Sequence, residues 1–236
     1  MKKPGVLVYG IVSHVVVLAC FLWFALWIAR IGIPDTIDSG TPGNPVASFV
    51  INMLLLTVFC GAHSVFARSS VKARMRRVFP QPLERATYCL IFSLGLVGLC
   101  FAYRPMPGVV WRITSPAGVA AIWALFILSW AAHFASLFWM GYAEFFGLRQ
   151  TWFAARGEEY RPPPPQTKRD FALSHILLIV SLSIISWWTP VMSVGQLWFC
   201  IFVVVYDIVG AWLSSRDLSD VPAPVAGAVP RDRVIA

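Results

Sequence analysis

The chain has 236 residues, 58% of them hydrophobic and only 13% charged, with a formal net charge of +8. Mean hydropathy is +0.71 and the pI about 9.6. That leaves too little polar surface to cover a soluble domain, so the chain reads as a membrane protein. The basic balance does not point to nucleic acid, because the cations sit between apolar runs, where the positive-inside rule accounts for them.

Taken in chain order, six apolar stretches approach the ~20 residues that a helix needs to cross ~30 Å of hydrocarbon. They are 6–29, 46–67, 86–103, 117–140, 171–189 and 194–213. Unbroken runs of this length exclude a barrel, so the expected fold is all-α and polytopic, with about six transmembrane helices. The first run follows Met1-Lys2-Lys3 but is too long for a secretory leader, and no small-x-small cleavage pattern follows promptly, so it is predicted to be retained. The third is the shortest and could begin before Thr87.

Sixteen of the nineteen basic residues fall on one side of this arrangement: the amino terminus, the 68–85 and 149–169 connections, and the carboxyl tail. The other side holds Arg30, Arg104 and Arg112, with Asp35 and Asp38 near the first. Both termini are therefore expected in the cytoplasm. Residues 1–218 are predicted to form a single transmembrane helical domain. The tail 219–236, "DVPAPVAGAVPRDRVIA" after Ser219, lacks apolar periodicity and is expected to be mobile.

Turn residues punctuate the connections. "IPDTIDSGTPGNP" (33–45) and "RPMPGVVW" (104–111) read as outer loops, and "RPPPPQ" (161–166) as an extended polyproline strut. Trp111, Trp187, Trp188 and Trp198 fall near the predicted outer boundary, where indole rings anchor.

Five cysteines, at 20, 60, 89, 100 and 200, all lie within spans and form no C-x-x-C pair, so buried free thiols are expected. His14, His63, His133 and His175 lie at similar depths, roughly 6–12 Å from the cytoplasmic ends of their helices. Such a set could ligate haem or a metal, or each imidazole could bond a neighbouring helix; no second histidine at i+4 or companion carboxylate favours a metal. Asp207, the only acid well inside a span, needs a partner, for which Ser181 and Ser183 are in reach.

"HSVFARSSVKARMRRVFPQPLERATYCL" (63–90) resembles a stretch of the bacterial methanethiol S-methyltransferase family, related to NnrU-type and isoprenylcysteine carboxyl methyltransferase-like membrane proteins. His63, Ser64, Ala67, Arg68, Lys72, Pro80, Glu84, Arg85, Thr87 and Tyr88 match it, and Phe146 to Gln150 match a second element. The resemblance covers about residues 50–218. It implies a bacterial inner (cytoplasmic) membrane location, S-adenosylmethionine as methyl donor and a small volatile thiol, methanethiol, as acceptor, giving dimethyl sulfide.

Two elements of the wider group are altered. Where an Arg-His-Pro opens the fifth span, this chain has His175, Ile176 and Leu177, although a one-residue slip would make His175 the match to the histidine. A glutamate pair after the sixth span is replaced by Ser214 and Ser215. Loss of a charged hydrogen-bonding partner costs about 1.5–3 kcal/mol each. Two readings follow. The first is a non-catalytic subunit or scaffold on a methyltransferase-like fold, with other membrane proteins as partners. The second is a divergent S-adenosylmethionine-dependent thiol methyltransferase whose donor site draws on His63, Arg68, Glu84, Arg85, Arg149, His175, Ser214 and Ser215. The altered motifs favour the first; no residue is assigned as catalytic.

Overall fold

The computed structural model describes residues 4–68, 71, 74, 80–164 and 166–219. The expected mobile tail therefore lies outside the described residues, apart from Ser219, as do Lys72 of the matched stretch and the amino-terminal lysines. Eight helices and two short strands are described: α1 (Pro4–Ala29), α2 (Pro45–Ala67), α3 (Gln81–Ala102), β1 (Val109–Arg112), α4 (Pro116–Trp139), α5 (Tyr142–Phe145), α6 (Leu148–Arg156), α7 (Lys168–Ile185), β2 (Val191–Ser193) and α8 (Val194–Ser219).

Four of these, α1 to α4, are long and apolar enough to cross a membrane. Their lipid-facing residues are open: Val58, Ile127 and Leu128 are each more than 60% exposed, which water would penalise and hydrocarbon does not. The fifth and sixth predicted spans correspond to α7 and α8. Helix α7 devotes its first turn to Lys168, Arg169 and Asp170 and ends at Ile185 rather than 189, because Trp187 to Pro190 turn towards β2. The apolar part of α8 runs from Val194 to Gly210, and the helical backbone continues through Ser214 and Ser215. Helix α3 begins at Gln81, earlier than the apolar run, with Pro80 before it and Pro82 in its first turn.

The six long helices alternate in direction, so the start of α1 and the end of α8 share one end of the bundle. At its centre α1 packs along α3; α4 packs on α7, α7 on α8, and α2 lies against α3 and α8. A cluster of Phe24, Trp27, Leu56, Leu99, Tyr103 and Phe199 fills one half, and a second of Val17, Tyr88, Cys89, Leu137 and Phe146 fills the half nearer the termini. All five cysteines are buried and free. Asp207 accepts from Ser183 Oγ at 2.6 Å, while Ser181 turns to the Leu178 carbonyl and His133.

The end away from the termini is closed by polar clamps. Strands β1 and β2 pair antiparallel, an interaction across about eighty residues of chain that makes a strand of what the sequence presents as a turn-rich loop. Trp111 sits on β1, and Trp187, Trp188 and Trp198 flank β2. Arg30 donates to Asp38 Oδ2 at 2.6 Å, to the Val191 carbonyl at 3.1 Å and to Ser193 Oγ at 3.1 Å. Fully buried Asn52 holds both backbone groups of Arg104, accepting its N–H at 2.8 Å and donating to its carbonyl at 2.9 Å. Asn52→Ala orphans both groups at a cost of about 1–3 kcal/mol apiece. A clear fall in the thermal unfolding midpoint of detergent-solubilised protein is expected, and an unchanged midpoint would contradict the clamp.

Candidate active site

The 140–167 connection is the long one at the terminal end of the bundle. It does not hang free but folds back over the starts of α1 and α3 as two short helices. Helix α6 lies across the first turns of α1, where Gly10 meets the Thr151 side chain without room for a Cβ. Tyr142 donates to or accepts from His14 Nε2 at 3.0 Å and stacks on Phe138 with ring centroids 4.5 Å apart. Gly147, at φ 80°, brings the backbone so close to α3 that a Cβ there would lie 2.7 Å from the Ala86 nitrogen.

Between this connection, α3 and α7 opens a cavity of about 630 Å³, within the range of sites for drug-sized and cofactor-sized ligands. Gln81, Glu84, Arg85 and Tyr88 line its α3 wall. Their spacing of three, four and seven residues places them on one helical face. Glu84 lies in the first turn of α3, where the helix dipole favours a negative charge. Opposite stand Glu144 and Phe145 of α5, Gln150 and Ala154 of α6, and Glu158 and Tyr160 beyond it. Phe171 and His175, one turn apart on α7, close the third side, and Met140 adds an apolar patch.

Arg85 ties the walls together: its Nε donates to the Phe145 carbonyl at 2.6 Å, and its guanidinium lies 4.9 Å from the Phe145 ring centroid. Glu144 Oε1 accepts from Gln150 Nε2 at 2.5 Å and from the Tyr160 hydroxyl. Burial and that carboxylate push the Tyr160 hydroxyl up to about 12, so it keeps its proton and remains a donor at neutral pH. The other oxygen, Glu144 Oε2, and Gln150 Oε1 are buried acceptors without a partner. Buried acceptors in that state are costly and normally satisfied. Carried by two residues that line the cavity, the pair suits a ligand that brings N–H or O–H donors or a positive charge.

Of the eight residues expected at a donor site, Glu84, Arg85 and His175 stand together on the cavity wall. His63 lies one layer behind, its Nδ1 at 3.2 Å from the Tyr88 hydroxyl. Arg149 turns away: Nε and Nη2 donate to the Arg161 carbonyl at 3.2 and 3.1 Å. Arg68 caps α2 with an exposed side chain, outside the cavity lining. Ser214 and Ser215 have helical backbone, and their side chains lie outside the described residues. Glu144, Gln150 and Tyr160 are absent from that expected set. The available signal was Glu144 itself, an acid in the aromatic run Phe138–Phe146. The four histidines do not gather: each has its own partner, and among the described residues no group of three or more His, Cys, Asp or Glu could hold a metal ion.

Gly147→Ala is expected to destabilise the protein by about 1–3 kcal/mol, from left-handed strain plus the clash with α3. Thermal unfolding in detergent measures this, and a neutral effect would show that the connection is not seated on α3 as described.

Comparison with known proteins bears on what such a cavity does. The chain is 34% identical over 218 residues to a methanethiol S-methyltransferase of Mycobacterium tuberculosis, covering 92% of this chain and 89% of the relative. It is 32% identical over 212 residues to methanethiol S-methyltransferase 1 of Bradyrhizobium diazoefficiens, covering 90% and 74%. Nurim of Sus scrofa is a more distant relative, 29% identical over 174 residues, covering 70% and 65%. No protein-family model matches the chain. No solved structure matches it either.

Proposed function

We propose, from the premise that the chain belongs to the methanethiol S-methyltransferase family, that it is an S-adenosylmethionine-dependent S-methyltransferase. It converts a small alkyl thiol, methanethiol, to its methyl sulfide in the bacterial inner membrane. The cavity end, with both termini, faces the cytoplasm. The reading as a non-catalytic scaffold rested on the altered Arg-His-Pro and glutamate-pair motifs. The named relatives favour the enzyme instead, and Glu84, Glu144 and Glu158 around one cavity support that reading.

The observation that carries the proposal is the pair of buried, partnerless acceptors, Glu144 Oε2 and Gln150 Oε1, on the wall of a cavity of nucleoside size. The donor brings an ammonium, ribose hydroxyls and a sulfonium, so the residues present fit it. When bound, S-adenosylmethionine supplies an electrophilic methyl on that sulfonium. Glu144 and Gln150 would take donors from it, with Glu84 adding negative charge nearby. Arg85 has spent one N–H on Phe145 and keeps further guanidinium donors for a carboxylate. Met140, Phe145 and Phe171 give the cavity an apolar side. An apolar wall suits this chemistry, because a thiolate and a sulfonium lose both charges as they react. An apolar thiol reaches such a wall from the bilayer, whereas the charged donor arrives from water.

Calorimetry on detergent-solubilised protein should show saturable binding of S-adenosylmethionine, and a headspace assay with methanethiol should show dimethyl sulfide. Glu144→Gln is expected to weaken donor binding about 10- to 150-fold, the loss of one charged hydrogen bond. Absence of both binding and product in the parent protein would refute the proposal.

A further inference from the structure

A thiol must lose its proton before or as its sulfur attacks a methyl group, so a base has to stand on the cavity wall. We infer that this base is Nε2 of His175, an assignment that rests on the methyltransferase reading above. His175 Nδ1 lies 2.8 Å from the carbonyl oxygen of Phe171, one turn earlier on α7. A carbonyl can only accept, so Nδ1 carries a proton, and in the neutral ring Nε2 is left with the lone pair. Phe171 also fixes the ring from the side, with centroids 3.8 Å apart. An imidazole held in one tautomer by a bond at its far nitrogen is the arrangement by which a base is oriented towards a nucleophile.

Three other titratable groups on the wall are otherwise engaged. Glu144 accepts from Tyr160 and Gln150, Glu158 pairs with Arg156 at 2.6 Å, and the Tyr88 hydroxyl is bonded to His63. An imidazole also titrates closer to a thiol than a carboxylate does, which suits it better to the transfer.

In the reaction the S–H bond breaks and its proton goes to Nε2. A sulfur electron pair forms the new bond to the donor's methyl carbon. The old carbon–sulfur bond breaks with its pair left on the donor's sulfur, which becomes a neutral thioether. The imidazolium then returns the proton to water.

In nanodiscs, nitrogen NMR of histidine-labelled protein should show a protonated Nδ1 and an unprotonated Nε2 at His175, identified by the signals that vanish in a His175→Asn variant. That variant keeps an amide donor for the Phe171 carbonyl but removes the base. Its turnover of methanethiol should fall about 10²- to 10⁴-fold, far more than its calorimetric affinity for S-adenosylmethionine. Methaneselenol, already ionised at neutral pH, should suffer a much smaller loss. If the Asn variant does not fold, His175→Ala with added imidazole should recover part of the rate. A protonated Nε2, an equal loss on thiol and selenol, or a loss of donor affinity that accounts for the lost turnover would each overturn the assignment. Absence of dimethyl sulfide from the parent protein would instead refute the methyltransferase reading.

Discussion

The bond from Arg85 to the Phe145 carbonyl joins two parts of the chain that nothing in their local sequence requires to meet. Irregular backbone cannot rest in hydrocarbon, so the 140–167 connection must leave the membrane or find partners at its edge. It finds them on the first two turns of α3. There a guanidinium accepts the aromatic ring of Phe145 on its face and binds its carbonyl at the edge, a charge-assisted contact worth about 1.5–3 kcal/mol. Gly147 makes the approach sterically possible. Without this joint the acceptors on α5 and α6 would not face Glu84 and Tyr88, and the cavity would have no second wall.

The two ends of the bundle are built on different principles. At the hairpin end, Arg30, Asn52 and the β1–β2 pair satisfy backbone groups from several segments, and Gln196 adds bonds to the Ser186 carbonyl and Thr189. These contacts fix the helices at one level. The terminal end holds a hollow instead. Cross-linked backbone at one end and an open cavity at the other is the division expected where a scaffold presents a binding site.

Helix positions were legible because lipid imposes apolar runs of spanning length, and those runs survive in the structure with shifts of a few residues. Glu84, Arg85 and His175 were named as candidates through the family resemblance, and all three line the cavity. Glu144 was not among them, since its importance depends on the fold of a connection whose path is set by distant contacts with α3. The β1–β2 pair escaped for the same reason: each strand is three or four residues long, and the partner is remote in sequence. Arg149 was expected in the site from the sequence resemblance, but the direction of a side chain on a short helix is fixed only by packing. It bonds Arg161 instead.

Serines at 214 and 215 suggest a chain that has lost its donor site, if carboxylates must come from that segment. The cavity has carboxylates from α3, α5 and the segment after α6 instead. The proposed donor site lies between α3, α5–α6 and α7. Ultraviolet crosslinking of labelled S-adenosylmethionine to the membrane-embedded protein, followed by mapping of the modified peptides, tests it most directly. Label confined to 81–88, 140–160 and 171–175, and displaced by the demethylated product, is the predicted pattern. Label at the hairpin end, or label that the product does not displace, would contradict it.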